Sequence, residues 1–251
     1  MNHLELFSGT HSFGKVSKGK GYTVYSLDRD LGASCPFSDY VSENHIKEDI
    51  MTWDYKKIDC NYFQLITASP TCLWWSNARS TWLGRMKKSK IFTLEDLRKD
   101  IDEFGKPMVD KVFEIIEYFR PAKWIIENPH SSRMKYYIEE RWPQYNTYND
   151  FSYCKFSDWG YEKKTRFWNN LNKTSCICQK DCANIIKNGK QRIHRIRMGA
   201  SKTVFDDGNI IRVNSKEQRE KYRGWENIDN VQTSKLQRYR IPENIIDYLI
   251  A

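Results

Sequence analysis

No stretch of the 251 residues approaches the roughly 20 apolar residues that a membrane-spanning helix requires. The chain enters an apolar, strand-like run at His3 without the charged and apolar regions of a secretory leader, so a soluble intracellular protein is expected. Internal repeats and low-complexity tracts are absent, which excludes solenoid and fibrous architectures. The seven cysteines are an odd number, and Cys35, Cys60, Cys72 and Cys154 are scattered singly. That pattern argues against a disulfide framework and for reduced thiols. Acidic residues are in deficit, 32 against 41 Lys and Arg, giving a formal charge of +9 and favouring a polyanionic partner. The length suits one α/β domain with a small appended element.

The apolar run Leu4-Glu5-Leu6-Phe7 reads as a short buried strand, Ser8-Gly9-Thr10 as a tight turn, residues 12–17 as a helix, and residues 23–27 as a second strand. Further strands are expected at 63–67 and 123–126. Between them lies a helix with Met108, Val112, Ile115, Ile116 and Phe119 on one face. Alternating strands and helices imply a doubly wound, mostly parallel α/β sheet of Rossmann-like type. From about residue 170 to 235 the pattern gives way to polar, basic sequence, before a final helix starting at Pro242. The expected organisation is a core over 1–169, a small basic insertion over 170–235, and a helix over 236–251 that returns to the core.

In such a sheet the turn after the first strand presents backbone N–H groups to a ligand, and an acid ending the second strand can hold ribose hydroxyls. Gly9 and Asp28 occupy those places. Ala68-Ser69-Pro70-Thr71-Cys72 sets a cysteine just beyond a strand's carboxyl end, where doubly wound folds place their chemistry. Ile125-Ile126-Glu127-Asn128-Pro129 ends another strand in a carboxylate, with a proline closing the strand.

Leu4-Glu5-Leu6-Phe7-Ser8-Gly9-Thr10, the Ser-Pro-x-Cys segment and Glu127-Asn128-Pro129 together resemble motifs of the cytosine-C5 DNA methyltransferases, in the compact form of phage and viral enzymes. The resemblance spans most of residues 3–168. It implies a Rossmann-like methyltransferase sheet that binds S-adenosylmethionine, with Phe7 on the adenine ring, Asp28 on the ribose, Asp49 near the adenine amino group, and Gly9, Thr10 and Pro70 completing the cofactor side. It further implies Cys72 as nucleophile and Glu127 as the acid at ring nitrogen 3. Tyr153-Cys154 and residues 163–168 resemble the strand that brings a basic residue to cytosine oxygen 2. Arg166 is the choice there, with Lys164 the alternative register. Two residues depart from the family pattern: His11 stands where the family has its next glycine, and Thr71 where it has proline.

The chemistry requires these residue types. Cytosine carbon 5 becomes nucleophilic only after a thiolate adds at carbon 6 with an acid at nitrogen 3. In double-stranded DNA the target base must be flipped out of the stack. Ser76, Asn77 and Arg79, with Arg85 and Lys90 behind them, form a candidate loop over DNA, and Arg195 and Arg197 lead a basic surface with Tyr222 and Trp225 interleaved. Cys176, Cys178, Cys182 and His194 could hold one structural zinc, although the spacing matches no common finger. Three free thiols and a surface histidine are the alternative. RNA offers the same ring and ranks second as substrate. A non-catalytic nucleic-acid-binding relative ranks third, and an amino-group methyltransferase, with no use for the cysteine, fourth.

Overall fold

A computed structural model describes residues 1–87, 89–188, 191–194, 202–206, 209–213, 215–224 and 239–251. In chain order, β1 (Asn2–Leu6) leads through α1 (Ser12–Gly19) to β2 (Thr23–Leu27) and β3 (Asn44–Ile46). After β4 (Leu65–Ala68) come a short ribbon of β5 (Met86–Lys87) and β6 (Lys90–Ile91), then α2 (Leu94–Asp100) and α3 (Lys106–Phe119), joined by a π-helical turn over Ile101–Gly105. β7 (Lys123–Pro129), α4 (Met134–Arg141), β8 (Tyr148–Ser152) and β9 (Lys164–Asn169) complete the main sheet. Beyond it lie the hairpin strands β10 (Ile185–Asn188) and β11 (Gln191–His194), the pair β12 (Lys202–Asp206) and β13 (Asn209–Val213), α5 (Lys216–Lys221) and α6 (Glu243–Ile250).

The main sheet has the order β3-β2-β1-β4-β7-β9-β8. Neighbours from β3 to β7 are parallel, and β9 runs antiparallel to both β7 and β8. Winding reverses between β1 and β4, which opens a crevice at the carboxyl ends of those strands. Leu4, Leu6, Leu65 and Ile66 are fully buried, as expected of parallel strands covered on both faces. On one face Leu4, Leu6, Ile66 and Ile126 pack against Val109, Val112, Phe113 and Ile116 of α3. On the other, Leu65, Ile125 and Phe167 pack against Phe13 of α1 and Ile245, Ile246 and Leu249 of α6.

Local signals explain the helix ends. Thr93 and Asp96 form a reciprocal capping box on α2. Pro107 opens α3, and Arg120 closes it in the left-handed region at φ 48°. The strand expected at 123–126 runs on to Pro129 and so carries Glu127 inside the sheet. Pro242 caps α6, one residue before the first helical position. Fully buried His3 is a polar tie: Nδ1 lies 2.7 Å from Ser17 Oγ and Nε2 2.8 Å from Thr67 Oγ1, linking β1 to α1 and β4. Among the described residues no helix is long and apolar enough to cross a membrane. Arg195, Arg197 and Trp225 lie outside the described residues.

Candidate active site

β4 and β7 pair up to Ala68 and Ile126, so the segments that continue them leave the sheet side by side. Fully buried Asn128 donates its Nδ2–H to the Pro70 carbonyl at 2.9 Å and locks the two segments together. Half-buried Cys72 follows two residues later, in a turn closed by the Trp75 N–H donating to the Cys72 carbonyl at 3.2 Å. Thr71 supports this turn by accepting the Leu73 N–H at 3.4 Å. Trp75 is buried beneath it against Gly105, where a Cβ would lie 3.0 Å from the indole; the absence of a side chain lets the π-helical turn approach this closely.

Glu127 is buried at the end of β7, and its Oε1 has no hydrogen-bond partner. Burial raises its pKa above the ordinary carboxylate value, against the opposing pull of Lys163, whose Nζ lies 3.6 Å away, and of a hydrogen bond with Tyr153. Such a carboxyl keeps its proton to higher pH than a surface glutamate and can donate it to a ring nitrogen.

Arg166 is not brought to Glu127. In the β7–β9 register Arg166 opposes Asn128, whereas Glu127 opposes Phe167, and side chains on a strand alternate between faces. Arg166 instead makes a bidentate pair with Asp150 at 2.8 and 2.9 Å and stacks 3.5 Å over the Tyr148 ring. Lys164 sits 3.6 Å from Glu162 and is equally removed. The cation at Glu127 is Lys163, which sequence reasoning passed over. Counting back in twos from Phe167 through Thr165 reaches it, but the adjacent aromatics Phe167 and Trp168 are both fully buried and hide that alternation.

The loop after Cys72 also departs from expectation. Arg79 is 6% exposed, paired with Asp100 and enclosed by the rings of Trp74, Trp82 and Phe92 at 5.0–5.3 Å. It ties the loop together, with its guanidinium enclosed and little exposed to solvent. Ser76 caps the short helical turn that follows, accepting the Ala78 N–H at 3.1 Å. Asn77 is exposed, donates to the Ser131 carbonyl at 2.7 Å and accepts from Arg133 at 3.1 Å.

At the other end of the crevice, Phe7, Gly9 and His11 have φ of 55°, 49° and 53°, a left-handed run at the turn after β1. Non-glycine residues in this region store strain and cluster at functional sites. Gly9 N–H donates to Asp28 Oδ2 at 3.0 Å, and Asp28 Oδ1 accepts from the N–H groups of Asp30 and Leu31 at 2.9 and 2.8 Å. Asp49 accepts from Met51 N–H at 3.0 Å and from Arg29 at 2.9 Å. Thr10 Oγ1 lies 3.0 Å from Ser12 Oγ, and its carbonyl accepts from the Cys35 thiol at 3.2 Å. His11 is fully buried, with Nε2 2.8 Å from the Gly32 carbonyl and Nδ1 3.6 Å from Glu5. Burial opposes its protonation, but Glu5, the Gly32 carbonyl and Asp28 outweigh that and hold its pKa above the ordinary value.

The cysteine cluster has a different membership from the one the spacing suggested. Cys154, Cys178, Cys182 and His194 bring one ligand atom each within 4.8 Å of one another. Cys176 is excluded because its backbone pairs with β8, through bonds to Asp150 and Ser152, and its side chain packs into the apolar cluster around Phe151. Cys154 joins from the turn after β8, far from the others in sequence.

No family model matches the chain. Over 193 residues the sequence is 33% identical to a Frog virus 3 (isolate Goorha) protein described as "Probable DNA (cytosine-5)-methyltransferase", covering 75% of this chain and 80% of that one. Among solved structures, the Entamoeba histolytica methyltransferase EhMeth superposes with a TM-score of 0.52 at 14% identity, over 100% of this chain and 96% of that one. S. pombe Dnmt2 methyltransferase aligns at a TM-score of 0.42 and 14% identity, over 70% of this chain and 51% of that one. Sheet order and the EhMeth superposition define a Rossmann-like methyltransferase fold. The viral relative narrows the class further: the chain belongs to the cytosine-C5 methyltransferase family.

Proposed function

We propose that this protein transfers a methyl group from S-adenosylmethionine to carbon 5 of cytosine in double-stranded DNA, through a covalent bond between Cys72 and a flipped base. The observation that carries this reading is the buried Glu127 carboxyl, whose Oε1 has the Lys163 ammonium 3.6 Å away but no closer donor, held beside the Cys72 segment by the Asn128–Pro70 hydrogen bond. A buried carboxyl oxygen short of a close hydrogen bond is uncommon and leaves room for a ligand's ring nitrogen. The formal charge of +9 supports a nucleic-acid partner, and the described activity of the viral relative supports DNA.

The cofactor suits the residues present: Phe7 offers an aromatic face, and Asp28, fixed by three backbone donors, offers a carboxylate to ribose hydroxyls. When bound, S-adenosylmethionine supplies an electrophilic methyl group on a sulfonium. Pro70 follows β4, the turn carrying Phe7, Gly9 and Thr10 follows β1, and Asp49 lies beyond the end of β3, all on the side where the crevice opens.

In this reading the Cys72 thiolate bonds to carbon 6 while Glu127 gives its proton to ring nitrogen 3, and the electron pair moves to carbon 5. Carbon 5 would then take the methyl group, the methyl–sulfur bond breaking with its electron pair kept by the departing thioether. A base removes the carbon 5 proton, the electron pair left behind expels the thiolate from carbon 6, and the nitrogen proton returns to Glu127. Lys163 and Tyr153 hold the Glu127 carboxyl in place. Ser76 and Asn77 lie on the loop that would close over DNA.

Labelled S-adenosylmethionine, duplex DNA and structured RNA, followed by nucleoside mass spectrometry, test the proposal. It predicts 5-methylcytosine in duplex DNA, none with Cys72→Ser, and a loss on the order of 10²–10⁴-fold with Glu127→Gln. Methylation confined to RNA would contradict the assignment of substrate.

A further inference from the structure

The chemistry at Cys72 leaves the second thiol cluster unexplained. Cys154 belongs to the catalytic sheet, in the turn that follows β8 and next to Tyr153, which bonds Glu127. Cys178 and Cys182 lie beyond β9, and His194 ends β11. Their ligand atoms all fall within 4.8 Å of one another, and Cys178 Sγ lies 3.5 Å from His194 Nε2. A tetrahedral zinc with Zn–S near 2.3 Å and Zn–N near 2.0 Å needs ligand-to-ligand edges of about 3.5–3.8 Å.

The surroundings match the demands of a metal. None of these thiols is in a disulfide, although three of them share one site. His194 turns Nε2 toward the sulfurs and Nδ1 toward Glu162, 3.7 Å away, the arrangement in which a carboxylate fixes the ring of a metal-bound histidine. Ser152 Oγ accepts the Cys178 N–H at 3.1 Å, and Asn184 Nδ2 donates to the Cys154 and Ser157 carbonyls at 3.1 and 2.9 Å, so backbone bonds fix two of the ligand-bearing turns.

We propose that Cys154, Cys178, Cys182 and His194 bind one structural zinc ion that fastens the β10–β11 hairpin to the catalytic sheet beside the Tyr153–Glu127 contact. With four protein ligands the coordination is closed, so the ion has no open position for a substrate. The metal would link the hairpin covalently to the sheet, as structural zinc does where it contributes folding energy.

The test is elemental analysis of the full-length chain produced with zinc and purified without chelator. The proposal predicts about one zinc per chain, retained in Cys176→Ser and reduced to less than about a tenth in Cys154→Ser and Cys178→Ser. Zinc-free wild type, or zinc lost from Cys176→Ser and kept by Cys154→Ser, would overturn it. If the ligand variants fail to fold, cobalt(II) added to chelator-stripped wild type decides: intense visible bands of a tetrahedral thiolate site support the proposal, and a pale octahedral spectrum refutes it.

Discussion

Replacing Asn128 by alanine removes a side-chain bond that ties the Cys72 segment to the Glu127 strand. The Nδ2–H donates to the Pro70 carbonyl at 2.9 Å, and both residues are buried. Deleting the donor strands a buried carbonyl, which costs about 1–3 kcal/mol. For a chain of this size that lowers the melting temperature by roughly 2–4 °C per kcal/mol. The loss of activity should be larger, because freeing residues 69–72 lets Cys72 drift from the position set by Glu127. A misplacement of about 1 Å can reduce the rate on the order of 10²-fold. Asn169→Ala is the matched control, since that fully buried amide bonds Asn149 at 3.1 Å and the Phe167 carbonyl at 2.8 Å away from the crevice. Urea unfolding and single-turnover methyl transfer should show similar stability losses in the two variants but a rate loss only in Asn128→Ala. Equal rates in both would refute the positioning role.

Burial holds the His3 pKa down to about 3, whereas the unfolded chain titrates near 6.5. The unfolded state therefore binds the proton first, and stability complete above pH 6.5 is lost as pH falls toward 3, at about 1.4 kcal/mol per pH unit. Urea midpoints from pH 7 to 5 should fall more steeply in wild type than in His3→Gln. Arg79→Met should cost about 1–3 kcal/mol, between the exposed and buried limits for an ion pair, while the salt dependence of DNA binding measured by anisotropy stays unchanged. Lys163→Met removes a group that pulls the Glu127 pKa down, so that pKa rises further. Activity that needs protonated Glu127 should then survive to higher pH in a kcat/KM profile, and a profile unmoved or shifted to lower pH would contradict the assignment.

Much of the sheet was legible because parallel strands buried on both faces are largely apolar runs bounded by turns, as at residues 4–6 and 65–68. Cys72 and Glu127 stood out as candidates because one comes four residues after such a run and the other lies near the end of another. Facing directions were harder to read. Arg166 and Lys163 lie three positions apart in one basic stretch, and the pairing of Asn128 with Arg166 decides which of them meets Glu127. Arg79 resembles the other cations of its loop until Trp74, Trp82 and Phe92 close around it. Cys154 looked solitary because 23 residues separate it from Cys178, a gap closed by the β8–β9 hairpin and the bridge from Cys176 to Phe151.

The central claim is covalent chemistry at Cys72, and trapping tests it most directly. Duplex DNA carrying 5-fluorocytosine in place of cytosine blocks the final proton removal, so the carbon 6–sulfur bond should persist. With S-adenosylmethionine present, wild type should yield a denaturation-resistant protein–DNA adduct whose modified peptide maps to Cys72, and Cys72→Ala should yield none. An adduct that survives in Cys72→Ala, or its absence from wild type that methylates the unsubstituted duplex, would contradict the account.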